Sequence, residues 1–238
     1  DSATLRENVV ALARNVGYVP SSRRASTANI SFTVDLGSGT SKSSVTLKAG
    51  LVALGDFANT NYTFCTPEDI TSPVTDGFAE FTIDIKQGTF ITNEFVVDTS
   101  QPNQKFIIPN SYVDTSTLKV QVRDTLTSSS RKTYSQIDNI VGISTHSETF
   151  LIQEIQDEKY ELLFGDGVLG KRLSNGNVIN STYIVTDGVG GNGVSNFSFA
   201  GKLVDNDGGL ITSGISDVIT NERSSNGAEV ESIDTIRN

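Results

Sequence analysis

Residues 29–39, NISFTVDLGSG, alternate apolar and polar side chains before ending in glycines. Ile30, Phe32 and Val34 fall on one side of an extended backbone, and the polar residues between them fall on the other side. This period of two is typical of a β-strand that has one face in a core and the other in solvent. Gly37 and the residues after it favour a turn at the end of the strand.

Similar short runs recur along the chain, separated by Gly, Asn, Pro and Ser. They lie at residues 45–49, 78–85, 90–97, 106–108, 118–122, 150–152 and 160–164. In the second run we group Phe78 with Phe81, Ile83 and Ile85 as one apolar strand, and the last two runs predict a hairpin. Regular short strands indicate a sandwich or a barrel. The sequence therefore predicts a mainly β protein, with one or two antiparallel sandwich-like or barrel-like lobes and short terminal helices.

The two ends of the sequence show helical spacing instead. Thr4 and Glu7 form a capping box, and Gly17 and Pro20 mark the end of a helix of about three turns. Apolar residues recur at helical spacing near the other end as well. Each helix presents one apolar stripe, which must pack on the β body or on another chain. The stripes form a candidate assembly interface, which comprises Leu5, Val9, Leu12, Val16, Val230, Ile233 and Ile236.

We expect the chain to be organised in consecutive segments. These are an N-terminal helix and linker (1–24), the first part of a β domain (25–105), a second β lobe and candidate insertion (106–165), returning strands of the β domain (166–213) and the start of a C-terminal helical segment (214–238). Because the sequence contains no Met, it is expected to be a fragment.

Composition and charge limit the classes of partner that the protein can have. The formal net charge of −10 and the lack of a basic stripe argue against a nucleic-acid surface. No apolar run is long enough to span a membrane, and no signal-peptide pattern is present. Cys65 is the single cysteine, which excludes an internal disulfide and fits a reducing compartment. We therefore expect neither a nucleic-acid nor a membrane partner.

Residues 160–173, YELLFGDGVLGKRL, contain glycines at the spacing of two nucleotide-binding motifs. Gly165, Gly167 and Gly170 match the dinucleotide fingerprint G-x-G-x-x-G, and residues 165–171 match all but the last position of a P-loop. Both motifs need a helix directly after the glycines, because its N-terminal N–H groups hold the phosphate.

The residues that follow do not predict that helix. Asn175 and Gly176 form a hairpin-turn signal, strand-like residues come after them, and Arg172 stands where a P-loop has Ser or Thr. We therefore interpret the segment as turns between strands, with glycines at positive φ. The structural turn residues are Gly165, Asp166, Gly167, Gly170, Asn175 and Gly176.

No other pattern predicts catalysis or a bound ion. His146 is the only histidine, and no G-x-S-x-G elbow accompanies it. Residues 205–208, DNDG, resemble the start of a calcium loop, but no Glu closes a twelve-residue frame, so we expect a polar turn. The sequence thus predicts no catalytic residue, cofactor, metal or small-molecule substrate.

The glycine segment belongs to an ordered series of motifs. The series is GYVP (17–20), LKAG (47–50), FCTPED (64–69), FGDGVLGK (164–171), NGN (175–177), YIVTDG (183–188), GNG (191–193) and GAEVESI (227–233). In combination these motifs resemble the baseplate J-like family, the baseplate wedge proteins of contractile-tailed bacteriophages. The segments IIPN (107–110) and VDTSTL (113–118) resemble the large wedge subunits of T-even-like phages.

The resemblance implies a structural protein of the virion, located in the tail baseplate and assembled in the host cytoplasm. Such subunits associate in pairs, contact other baseplate wedge proteins and join wedges into a ring around the tail tube. The resemblance transfers no catalytic residue. A β-rich phage or bacterial adhesin or receptor-binding module is the alternative, because it would share this composition. The sequence shows neither the aromatic cluster nor the fibre repeat expected of an adhesin.

Overall fold

The computed structural model describes residue 6 and residues 8–10, 20–138 and 141–237. Within these residues the protein is mainly β, which confirms the predicted fold class. The strands form two sheets, one of which is nearly barrel-shaped.

The chain divides into two compact units that interleave along the sequence. The ten-stranded unit contains residues 23–91 and 184–229, and the seven-stranded unit contains residues 1–22, 92–183 and 230–238. The chain therefore enters each unit more than once.

The strands are short and are separated by turns. The first eight are β1 (Thr27–Asp35), β2 (Ser44–Leu47), β3 (Gly50–Phe57), β4 (Thr60–Thr66), β5 (Ile70–Thr75), β6 (Phe78–Gln87), β7 (Thr89–Val96) and β8 (Phe106–Ile107). The others are β9 (Val113–Arg123), β10 (Lys132–Gln136), β11 (Thr149–Ile155), β12 (Lys159–Phe164), β13 (Val178–Val185), β14 (Asn196–Phe199), β15 (Leu203–Asp205), β16 (Leu210–Ile211) and β17 (Ile219–Ser225). A helix, α1 (Ile233–Arg237), follows, and residues 6 and 8–10 are also helical.

The ten-stranded sheet runs in the order β14-β3-β4-β6-β5-β2-β15-β16, and β1 pairs with both β6 and β17. Ser224 N donates to Val194 O at 2.9 Å, and Gly193 N donates to Ser224 O at 2.8 Å. These bonds join β17 to the segment that leads into β14. The circuit β17-β1-β6-β4-β3-β14 is therefore nearly closed.

Apolar side chains at every second position of β1 and β6 form the core of this unit. Ile30, Phe32 and Val34 of β1 are buried, as their spacing predicted, and the rings of Phe32 and Phe81 stack with their centroids 4.8 Å apart. The two strands pair antiparallel from Thr27 opposite Lys86 to Asp35 opposite Phe78. Because the side-chain period is two, this register places one complete apolar face of each strand inside.

The seven-stranded sheet runs in the order β7-β13-β9-β10-β11-β12-β8. β11 and β12 form the predicted hairpin through a 3₁₀ turn at Gln156–Glu158, in which Asp157 has φ +63°. The ring of Phe164 lies edge-on to Phe106 and Tyr134, with centroid distances of 5.7 and 5.8 Å. β10 and β11 are parallel, unlike the antiparallel arrangement that the sequence predicted.

The unit boundaries differ from the expected segments. The central segment of the seven-stranded unit is 92–183, wider than 106–165, because β7 and β13 belong to the same sheet as β9. Residues 214–229 belong to the ten-stranded unit and contain β17, where the sequence predicted the start of a helical segment. Among the described residues of 214–237, the helix is confined to α1, which begins at Ile233.

Candidate functional site

The glycine loop, residues 164–172, follows β12 and is a compact turn. Gly167 and Gly170 have φ of +91° and +84°, a backbone region that favours glycine. Gly165 has another requirement, since a Cβ atom there would lie 2.2 Å from the carbonyl carbon of Gly170. No helix follows the loop within the described residues up to β13, so a helix N-terminus does not face it.

The side chain of Asp166 organises the loop. Its Oδ1 accepts hydrogen bonds from Val168 N and Leu169 N, both at 2.8 Å, while Gly167 N donates to Gly170 O at 3.0 Å. The N–H donors of Leu169 and Val168 stabilise the carboxylate and lower the pKa of Asp166 below its ordinary value.

The glycine loop also binds the segment before β11. Gly170 N donates to Ser144 O at 3.1 Å, and Lys171 N donates to Ser147 O at 2.9 Å. The Lys171 ammonium lies 2.7 Å from Glu148 Oε1, a hydrogen bond that raises the pKa of Lys171. All backbone N–H groups from 167 to 171 therefore have acceptors within the chain, whereas a phosphate-binding loop directs such groups at its ligand.

The Asn175-Gly176 turn lies between the glycine loop and β13. Gly176 has φ +82° and donates its N–H to Val97 O at 2.8 Å. Asn175 Oδ1 accepts from Thr99 N at 3.0 Å. The turn thereby attaches the start of β13 to the segment after β7.

A second junction is built from residues 186–193 of the T-D-G and G-N-G motifs, which we call the TDG junction. Gln87 is 2% exposed, and its Oε1 accepts from Thr186 Oγ1 at 2.7 Å and from Asp187 N at 2.9 Å. Its Nε2 donates to Asp187 Oδ2 at 2.8 Å. The end of β6 is thus fixed to the residues after β13.

The same junction connects both ends of the ten-stranded unit. Gly191 O accepts from Ser26 Oγ at 2.8 Å and from Ser224 Oγ at 2.7 Å. Asn192 pairs with the backbone of Gly227, accepting from its N at 2.8 Å and donating to its O at 3.0 Å. The T-D-G and G-N-G motifs therefore hold together chain segments that are distant in the sequence.

The sequence pointed to the TDG motif but not to its partners. Gln87 had a local signal, because it occupies the inward parity of β6 after Phe81, Ile83 and Ile85, where a polar residue needs a buried partner. Ser26 and Ser224 had no such signal, because their shared acceptor follows from pairing between distant segments.

The candidate assembly interface is described only in part. Val9 is 5% exposed within the isolated chain, and Val230, Ile233 and Ile236 are half-buried. Leu5, Leu12 and Val16 lie outside the described residues. Arg6 connects the helical residues to β11, because its Nε lies 2.5 Å from Oε1 of the buried Glu154, and its Nη1 donates to Glu231 O.

A lysine from another part of the chain pairs with the carboxylates of the Asp205–Gly208 turn. The Lys42 ammonium lies 2.8 Å from Asp205 Oδ2 and 2.7 Å from Asp207 Oδ2. The bond from Lys42 lowers the pKa of Asp205, and bonds to both carboxylates raise the pKa of Lys42. A lysine thus occupies the space between the two carboxylates.

Several other sequence candidates have ordinary surroundings. His146 is exposed, with Nδ1 2.9 Å from Thr145 Oγ1. Cys65 is buried, which raises the pKa of its thiol to about 12. Within the described residues, no three His, Cys, Asp or Glu side chains group to hold a metal, and no helix is long and apolar enough to cross a membrane.

No protein-family model matches the chain, and no curated protein matches it.

Proposed function

We propose that this chain is a structural subunit of a contractile phage tail baseplate, which joins wedges into a ring around the tail tube. One observation carries the proposal: the glycine loop directs its N–H groups from 167 to 171 at acceptors of its own chain. A segment that resembles a nucleotide-binding motif is thereby used as a structural connection. The proposal takes the protein to be a non-enzyme without a cofactor.

The TDG junction supports the same function. Its bonds connect three segments that lie far apart in the sequence, at Ser26, at Gln87 and at residues 224–227. The side chains of Ser26, Gln87 and Ser224 are buried and hydrogen-bonded, and buried polar groups of this kind favour one defined arrangement of segments. An assembly subunit needs such definition, because each of its surfaces must meet a neighbouring subunit in a fixed geometry.

The proposed partners are a second copy of the chain and other baseplate wedge proteins. Among the described members of the candidate assembly interface, Val230, Ile233 and Ile236 retain accessible surface. A helix as short as α1 is marginal alone and gains stability by packing. A contact through α1 would therefore stabilise both the helix and the assembly.

Immunogold electron microscopy tests the location. Antibodies raised against the chain should label the baseplate end of contractile tails prepared from the source cells, while preimmune serum should not. Labelling of the cell surface without tails would favour the adhesin alternative. Calorimetric titration of ATP, GTP and NAD gives a second test, in which micromolar binding of any of them would contradict the proposed role of the glycine loop.

A further inference from the structure

An open cleft of about 740 Å³ lies in the ten-stranded unit, where β5 turns into β6. The turn consists of Asp76 and Gly77, which have φ of +53° and +89°. The volume of the cleft lies within the range of small-ligand pockets. None of the residues that line the cleft belongs to the glycine loop or to the TDG junction.

An exposed aromatic ring forms part of the cleft. Phe78 is 43% exposed, whereas Phe81, three residues further along β6, is 2% exposed. Phe78 has the parity of the outward-facing residues of β6, so the apolar core does not use it. An exposed ring in a concave site is available for contact with a ligand.

Two carboxylate residues line the cleft with this ring, and a third lies on the neighbouring strand. Asp35 on β1 lies directly opposite Phe78, and Asp76 and Glu80 line the cleft beside it. Opposite residues on paired strands have Cβ atoms about 4.5–5.5 Å apart. In the described part of the chain, the carboxylates of Asp76 and Glu80 have no hydrogen-bond or ion-pair partner, and no Lys or Arg lines the cleft.

The remaining polar groups limit the ligand class. Ser72 Oγ donates to Glu80 O at 2.7 Å, which leaves the hydroxyls of Thr33 and Thr75 as side-chain donors in the cleft. A neutral sugar needs several donors as well as acceptors. An acidic lining around an exposed ring instead complements a cation that has a flat, weakly hydrated head.

We propose that this cleft binds an arginine side chain from a basic segment of a partner protein. The planar guanidinium stacks on the ring of Phe78, and its N–H groups donate to the carboxylates of Asp76 and Glu80. Lysine fits less well, because its ammonium does not stack and presents donors from a single point. The inference depends on the cleft alone and holds whether or not the chain is a baseplate subunit.

The test is an NMR titration of the ¹⁵N-labelled protein with a capped peptide of alternating glycine and arginine. The control peptide has citrulline in place of arginine, which keeps the shape and removes the charge. The arginine peptide should shift the amide signals of Thr33, Ser72 and residues 75–80, and the citrulline peptide should not. Raising the salt concentration should weaken the binding, because the contact is ionic and exposed.

Two variants and a matched control locate the contact. Phe78→Ala and Glu80→Gln should each weaken binding of the arginine peptide about three- to fivefold, which is typical of exposed cation–π and ionic contacts. Asp56→Asn removes one exposed carboxylate from β3, outside the cleft, and should leave the affinity unchanged. Equal binding of both peptides, shifts confined to other surfaces, or binding of a neutral oligosaccharide in the cleft would each overturn the proposal.

Discussion

Gly165 and Gly170 lie in backbone contact: a Cβ atom at position 165 would be 2.2 Å from the carbonyl carbon and 2.4 Å from the carbonyl oxygen of Gly170. Real Cβ atoms do not approach backbone atoms this closely, so position 165 requires glycine for space. Gly167 requires glycine for its φ of +91°, since its Cβ would meet only Arg172 Cβ at an ordinary 3.6 Å. The two glycines therefore make separable predictions.

Substitution of either glycine should destabilise the protein. Gly167→Val should lower the free energy of unfolding by about 1–3 kcal/mol, the cost of a strained backbone conformation. Gly165→Ala should lower it by about 3 kcal/mol, the upper end of the usual cost of overpacking, because the backbone of the loop must separate. Gly39→Ala, where a Cβ meets nothing within 4 Å, is the control and should be nearly neutral. Urea unfolding measures all three, and a Gly165→Ala variant as stable as the control would contradict the packing.

The Asp166 carboxylate should make stability depend on pH in the acid range. Its folded-state pKa is lowered by the N–H groups of Leu169 and Val168, so its contribution is fully present above the ordinary value of about 3.9. That contribution is lost as the pH falls through the lower, folded-state pKa. Asp166→Asn keeps an acceptor oxygen but no charge, so its melting temperature should be lower than the parent's at pH 7, and this difference should shrink as the pH falls below about 3.9. A difference that stays constant from pH 7 to pH 2 would exclude this role.

Calcium should not stabilise the Asp205 turn, because the ammonium of Lys42 already lies between the carboxylates of Asp205 and Asp207. Melting temperatures in excess calcium and in chelator should agree. Lys42→Met should lower the melting temperature, since two neighbouring carboxylates then repel each other. Lys202→Met is the control for loss of a lysine elsewhere in the unit. A large calcium-dependent rise in the parent protein would show that Lys42 is displaced by the ion.

Cys65 should be unreactive in the folded protein. Its thiol is 1% exposed, and burial raises its pKa to about 12, so little thiolate exists at pH 8. A chromogenic disulfide reagent should label it only after denaturant is added. Labelling of the native protein at the rate of a free thiol would mean that the strand around Cys65 opens readily.

The proposed function predicts self-association to at least a dimer, measurable by light scattering over a concentration series. Ile236→Asp should weaken association while leaving the fold intact, because Ile236 is only half-buried. Val9→Asp should instead lower the free energy of unfolding by about 3 kcal/mol or more, because it places a charge at a site that is 5% exposed. Asn8→Asp on the exposed side is its control. If the protein is strictly monomeric at high concentration, the predicted dimer is wrong.

Local patterns predicted the elements that bury one regular face. The alternation of Ile30, Phe32 and Val34 appears in β1, and the hairpin of β11 and β12 follows the apolar runs on both sides of Gln156–Glu158. The grouping of Phe78 with Phe81, Ile83 and Ile85 is wrong about the face it occupies. Phe78 is an odd number of residues from Phe81, so the period of two places it on the outward face of β6.

Long-range pairing accounts for what the sequence did not predict. β17 reads ITNERSS and has a single buried residue, Ser224, so no apolar period marks it as a strand. It is a strand because its backbone pairs with β1. The partners of the TDG motif could not be predicted for the same reason, since Gln87 and Asp187 meet only after both segments have folded.

The position of β17 also determines when the protein can fold during synthesis. Both β1 and β6 are made before residue 92, but β17, the other partner of β1, is made only after residues 92–183. At translation rates of about 5–20 residues per second, the open edge of β1 waits on the order of ten seconds. Unpaired edges can recruit other chains during such an interval. Until β17 emerges, the edge of β1 is therefore a place at which another nascent chain can add a strand.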